Sequence, residues 1–247
     1  VADKTRIAGL EMPDVPEPDF VGALCEIWFG VSYSAYHLAY VRVYLQTAAL
    51  QTNKKVIDKQ EESLRKLMQT DLLICRAHLA SFFWQLDHIF EALRGAINRG
   101  QKEHGDLKYF WQWDKALDEI EKGALRREIS AYRNQGHQYP AIIGCKWEGD
   151  DKFVRHFLPT IDGHEPKEEI DIKDVLQRYF EFVVNVWLSF APGDFKDKFP
   201  RDFSFPVIVP HTFIGELPPE LESVPQLSVE IVAFNLHNVD EQTADQP

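Results

Sequence analysis

The sequence predicts a mainly α protein: a four-helix bundle with a small β-hairpin insertion and short C-terminal strands. Three observations carry that prediction. Four segments place apolar residues at steps of three and four, the signature of a helix with one buried stripe. Between the third and fourth segments the pattern changes to short apolar runs around a turn. With 45% hydrophobic and 13% aromatic residues, the 247-residue chain can fill a core without disulfides or metals.

Residues 1–22 read as an extended arm, because Met12 to Asp19 is rich in Pro and acid. The first helix opens at Leu24. Its stripe is Leu24, Ile27, Val31, Ala35, Leu38, Val41, Leu45 and Ala48, and it should end near Thr52-Asn53.

The second pattern runs from Asp58 to Asn98, with Leu64, Met68, Leu72, Cys75, Leu79, Phe82, Leu86, Ile89, Leu93 and Ile97 as its seam. A helix of about 40 residues is long for a globular protein, which leaves room for a break near Gln69-Thr70. Arg99-Gly100 should close it, since Gly tolerates the left-handed turn at a helix end.

The third helix is expected over Asp106 to Asn134. Leu107, Phe110, Trp113, Leu117, Ile120, Ala124, Ile129 and Tyr132 mark its buried face. Gly123 lies inside it, at a cost of about 1 kcal/mol relative to Ala. Gly136 and Pro140 should end it.

A hairpin is predicted at about residues 141–159, around Glu148 to Asp151. Asp171 can then cap a fourth helix, with Asp174 as its acidic partner. Val175, Tyr179, Val183, Val186, Trp187 and Phe190 form its stripe, and Pro192-Gly193 should stop it. The bundle so defined spans residues 23–192. Residues 193–235 read as a Pro-rich β segment packed on it, with strands at Phe205–Val209 and Leu227–Ala233. Residues 236–247 read as a flexible polar tail.

Composition narrows function. A net charge of −12 repels nucleic acid at long range, so any RNA contact must rest on a local basic site. Three cysteines without C-x-x-C spacing argue against a disulfide framework or a zinc site and fit the reducing cytoplasm. No apolar run approaches the roughly 18 residues of a membrane span. Phosphate-loop, dinucleotide and nucleophile-elbow motifs are absent. None of the nine histidines follows a carboxylate by three residues, so no metal and no cofactor is expected. His78 reads as a hydrogen-bonded core residue and His88 as part of a solvated face. His37 sits among Tyr33, Tyr36 and Tyr40, a patch that suits an interface or a cap.

The most suggestive stretch is Tyr132-Arg133-Asn134-Gln135-Gly136-His137. An imidazole near neutrality can move a proton, and a guanidinium can neutralise charge building on a phosphate. Asn134 could orient either. Arg126 and Arg127 add positive charge nearby. The structural alternative is that these arginines pair with Glu128 and the acids of Asp118 to Glu121, while Asn, Gly and His simply end a helix.

A helical bundle carrying Arg-Asn, a short gap and His after its third helix resembles the HEPN superfamily. That resemblance covers about Leu24 to Pro192. It implies a metal-independent endoribonuclease of toxin or phage-defence type, working as a homodimer in which Arg and His of two subunits meet. Arg133, Asn134 and His137 would be its catalytic residues, and Arg126 and Arg127 its RNA-binding ones. The superfamily usually has four to six residues between Arg and His, against three here. Other members are non-catalytic binding or dimerisation modules, and here an acidic arm and tail would suit a basic protein partner. A third reading is an enzyme that holds a small apolar ligand inside the bundle.

Overall fold

The computed structural model describes residues 18–51, 62–105, 107–138, 144–148, 152–158, 171–190, 202–211 and 226–235. Side chains are described over 20–45, 73–105, 107–134 and 171–190, and at 148, 158 and 204. This part of the chain is mostly helical. In chain order it comprises α1 (Pro18–Gln51), α2 (Glu62–Glu103), α3 (Lys108–Glu121), α4 (Ala124–Gln138), β1 (Gly144–Glu148), β2 (Lys152–Phe157), α5 (Ile172–Phe190), β3 (Asp202–His211) and β4 (Gln226–Asn235).

α1 begins at Pro18, inside the stretch expected to be extended. Proline suits a first helical turn, where its missing N–H has no partner to lose. Burial explains the early start. Phe20 is 4% exposed and packs at a tilt against Trp113 with ring centroids 4.5 Å apart. Every described residue of the expected stripe, Leu24 through Leu45, is buried. So are Trp28, Ala39 and Val43, off that stripe, because α1 is covered on several sides. Its longest seam is with α2, and α5 and β3 also lie against it. Ala48 and Thr52-Asn53 lie outside the described side chains or residues.

α2 runs unbroken through Gln69-Thr70 and past Gly100 to Glu103. Gly100 therefore does not close the helix. A Cβ there would sit 2.2 Å from Cε1 of Phe110, so glycine is required for close approach of α3. Cys75, Leu79, Phe82, Leu86, Ile89, Leu93 and Ile97 are all buried, as their period predicts.

The expected third helix is two helices. After Glu121 the chain tightens: Gly123 N donates to Ile120 O at 2.9 Å, a three-residue rather than four-residue return. A Cβ on Gly123 would lie 2.9 Å from that same carbonyl oxygen. The break resets the phase of the buried stripe. Phe110, Trp113, Leu117 and Ile120 are buried before it and Ile129 after it, but Ala124 is exposed. α4 then continues through Gly136 to Gln138 instead of ending there.

At α5, the Asp171 side chain accepts a hydrogen bond from Lys173 N at 2.8 Å, the cap its position suggests. All six stripe residues of α5 are buried, together with Leu176, Phe180, Phe182, Val184 and Leu188. Trp187 packs at a tilt against Trp28 of α1 at 4.8 Å and donates its indole N–H to Leu24 O at 3.4 Å. β1 and β2 pair antiparallel with a register shift at Lys146/Trp147. β3 and β4 pair antiparallel from Asp202↔Asn235 to His211↔Gln226.

Candidate functional site

Arg126 and Arg133 are seven residues apart on α4, two turns along one strip of the helix, which faces α2. Between them and the core lies Asp87, a carboxylate only 3% exposed. Arg126 Nη1 donates to Asp87 Oδ1, and the guanidinium lies over the Phe90 ring at 4.5 Å. Arg133 Nε faces Asp87 Oδ2 at 3.4 Å, an ion-pair distance without hydrogen-bond geometry. Its Nη2 is 3.9 Å from Glu91, and its Nη1 donates to Asn134 Oδ1 at 3.1 Å.

A buried carboxylate is costly unless paired, and here two arginines pair it. Arg133 is held by its inner edge while its side chain stays 28% exposed. Arg126, at 12%, is largely enclosed, so of the two arginines expected to bind RNA only Arg127 presents its side chain to solvent. Neither Arg126 nor Arg133 pairs with the acids that their sequence neighbourhood suggested. Asp118 and Glu121 go to Arg94, at 2.7 and 2.6 Å, while Glu128 accepts from Tyr179 at 2.7 Å. Next to Arg133, the Tyr132 ring stacks on Phe83 at 4.9 Å, and burial together with Glu128 pushes its phenol up to about 12.

Position 137 follows position 133 by one helical turn in the unbroken backbone of α4. The His137 side chain lies outside the described residues.

A second polar cluster sits on another side of α2. His37 of α1 and His78 of α2 bring their Nδ1 atoms to 2.9 Å. One ring must carry its proton on Nδ1 and the other present a bare nitrogen. Tyr40 stacks on His78 at 4.2 Å and 5°, and Tyr36 meets both imidazoles edge-on at 5.4 and 5.9 Å. Burial, and then the neighbouring imidazole, push His37 down to about 4; burial alone lowers His78. The hydrogen bond to Tyr40, and then burial, raise Tyr36 to about 12. Both imidazoles and the Tyr36 phenol are therefore uncharged near neutrality.

Neither cluster was legible as a unit in the sequence. Asp87 was missed, although a carboxylate set between Leu86 and Phe90 in a buried seam was a usable signal. In the sequence His37 and His78, 41 residues apart, present themselves separately, as an interface or cap and as a hydrogen-bonded core residue. His88 is exposed as expected, stacked on Trp84 at 5.1 Å.

A depression lined by Phe20, Ala96, Gly100, His104 and Phe110, with the charged Arg99 and Glu103, holds about 10 Å³, room for roughly one water. It cannot seat an apolar ligand, for which pockets of about 300 Å³ or more are usual. Among the described residues no group of three or more His, Cys, Asp or Glu could hold a metal, and no helix is long and apolar enough to cross a membrane. No family model, no curated protein and no solved structure matches the chain.

Proposed function

We propose that the chain is a HEPN-like helical protein that cleaves RNA without a metal, at the end of α4. α1, α2, the broken α3–α4 pair and α5 would be the four helices of its bundle, and β1–β2 the insertion. The observation that carries this reading is the anchoring of Arg133. Asp87 holds its Nε edge, which leaves the Nη edge near the surface beside Asn134, one turn before position 137. A guanidinium positioned in advance is what a scissile phosphate needs, since no reorganisation is required as charge develops. His137 would move the proton and Arg133 would hold the phosphate. Asn134 would keep the guanidinium in place, and Arg127 would draw in RNA. Arg126 would position Arg133 through their shared carboxylate. Two copies in the cytoplasm, meeting at α4, would complete the site as a homodimer of toxin or phage-defence type.

The test is cleavage of single-stranded RNAs in EDTA at neutral pH. Wild type should cut, and His137→Ala should lower the rate by about 10²- to 10⁴-fold with its circular dichroism unchanged. Arg133→Ala should do likewise. Wild type leaving every RNA intact rejects the nuclease.

One observation favours a second reading, a non-catalytic binding or dimerisation module with a basic protein or a second copy as partner. Asp87 and Glu91 together offset the charges of Arg126 and Arg133, so the cluster has no excess positive charge for phosphate. Under that reading His137→Ala leaves self-association and partner binding unchanged, and no RNA is cut.

A further inference from the structure

We propose that His37 and His78 form a seat for a divalent transition-metal ion of the zinc, nickel, cobalt or copper class, clipping α1 to α2. This does not rest on the nuclease reading, and the two can fail separately. Their Nδ1 atoms lie 2.9 Å apart on helices that share the longest seam among the described elements. Two imidazole nitrogens bound to one tetrahedral ion at 2.0–2.1 Å stand about 3.3 Å apart. An opening of about 0.4 Å, with a tilt of each ring by about 35° so that the two lone pairs converge on one point, turns the hydrogen bond into a chelate.

The rings are already side by side, with both Nδ1 atoms on the inside of the pair. Tyr40 fixes the plane of His78 by face-to-face stacking, and Tyr36 packs against both imidazoles. The rotameric freedom that a metal would otherwise have to freeze is largely gone.

The proton balance closes. In the free pair one ring carries its hydrogen on Nδ1. On binding, that hydrogen moves through solvent to Nε2 of the same ring. Both Nδ1 lone pairs then face the ion, and no net proton is released. Among the described residues no carboxylate or thiolate joins the pair. The remaining coordination positions are therefore left for water or for a donor brought by a partner. Neutral nitrogen donors without oxygen anions select borderline ions over Mg²⁺ and Ca²⁺.

The experiment uses the untagged full chain, titrated with Zn²⁺ by calorimetry and with Co²⁺ by visible absorption. Wild type should bind one ion saturably. At a hundredfold excess over Kd the Tm should rise by about 5–10 °C. His37→Gln and His78→Gln should each abolish binding, His88→Gln should leave it intact, and Mg²⁺ should produce no shift. Long-range nitrogen–proton spectra of wild type provide a readout that needs no variant: both Nδ1 signals should move on adding Zn²⁺. Absence of saturable binding at millimolar Zn²⁺, binding that survives both substitutions, or unmoved Nδ1 signals would each overturn the proposal.

Discussion

Two sides of one helix join α2 to its neighbours by opposite physics. His78 and Asp87 are nine residues apart on α2, two and a half turns, so they point half a revolution away from each other. On the first side a neutral imidazole meets a neutral imidazole from α1. On the other a buried carboxylate meets two guanidinium groups from α4. Both seams solve the same problem, a polar group inside an apolar interface. The first does so by shedding charge, the second by pairing it. The difference teaches that burial alone does not decide ionisation. The partner that the fold supplies decides it.

The comparison is tested most severely by Asp87→Ala. It leaves Arg126 enclosed without an anion and should cost about 3–5 kcal/mol in urea unfolding at pH 7. A loss below about 1 kcal/mol would mean that the arginines are hydrated and the pairing is incidental. Next in size is His78→Ala, which removes one hydrogen bond and one ring stack, about 1–2 kcal/mol together. The same seam sets the acid response. His37 titrates near 4 when folded against an ordinary 6.5, so the unfolded chain takes its proton first. Its contribution is complete above about pH 6.5 and is lost as pH falls to about 4. Urea midpoints measured across that window should fall for wild type and flatten in His37→Gln. An unchanged slope would show that other groups control acid unfolding. The smallest effect belongs to Glu91→Ala, because Glu91 is 54% exposed and 3.9 Å from Arg133. It should change stability by no more than about 0.5 kcal/mol. A larger loss would show that Glu91, and not Asp87 alone, holds Arg133 in place.

Much of the architecture was legible in the sequence. The stripes of α1, α2 and α5 follow from period alone, since a wide apolar stripe has to be covered whatever covers it. The Asp171 cap was equally local. The glycines were less readable, because one residue type serves two purposes. Gly100 looked like a helix terminator and proved to be the gap into which Phe110 fits. Gly123 looked like a tolerable flaw and proved to be the turn between α3 and α4. At about 1 kcal/mol, glycine's intrinsic cost cannot choose between these outcomes; packing against α2 can.

Of the candidate site, the residue types were legible and their partners were not. Arg133 beside Asn134 was visible as a pair, and the two do touch. That Arg126 and Arg133 would share Asp87 was invisible, because local spacing pointed to nearer acids that Arg94 and Tyr179 take instead.

By itself, then, the sequence determined which faces of the helices are buried and where α5 is capped, because those depend on periodicity and on contacts a few residues long. Only the tertiary structure decided which charged or titratable groups meet across α2, because those encounters join residues about 40 positions apart. Their relative placement depends on where α1 and α4 lie against α2, and no local preference encodes that.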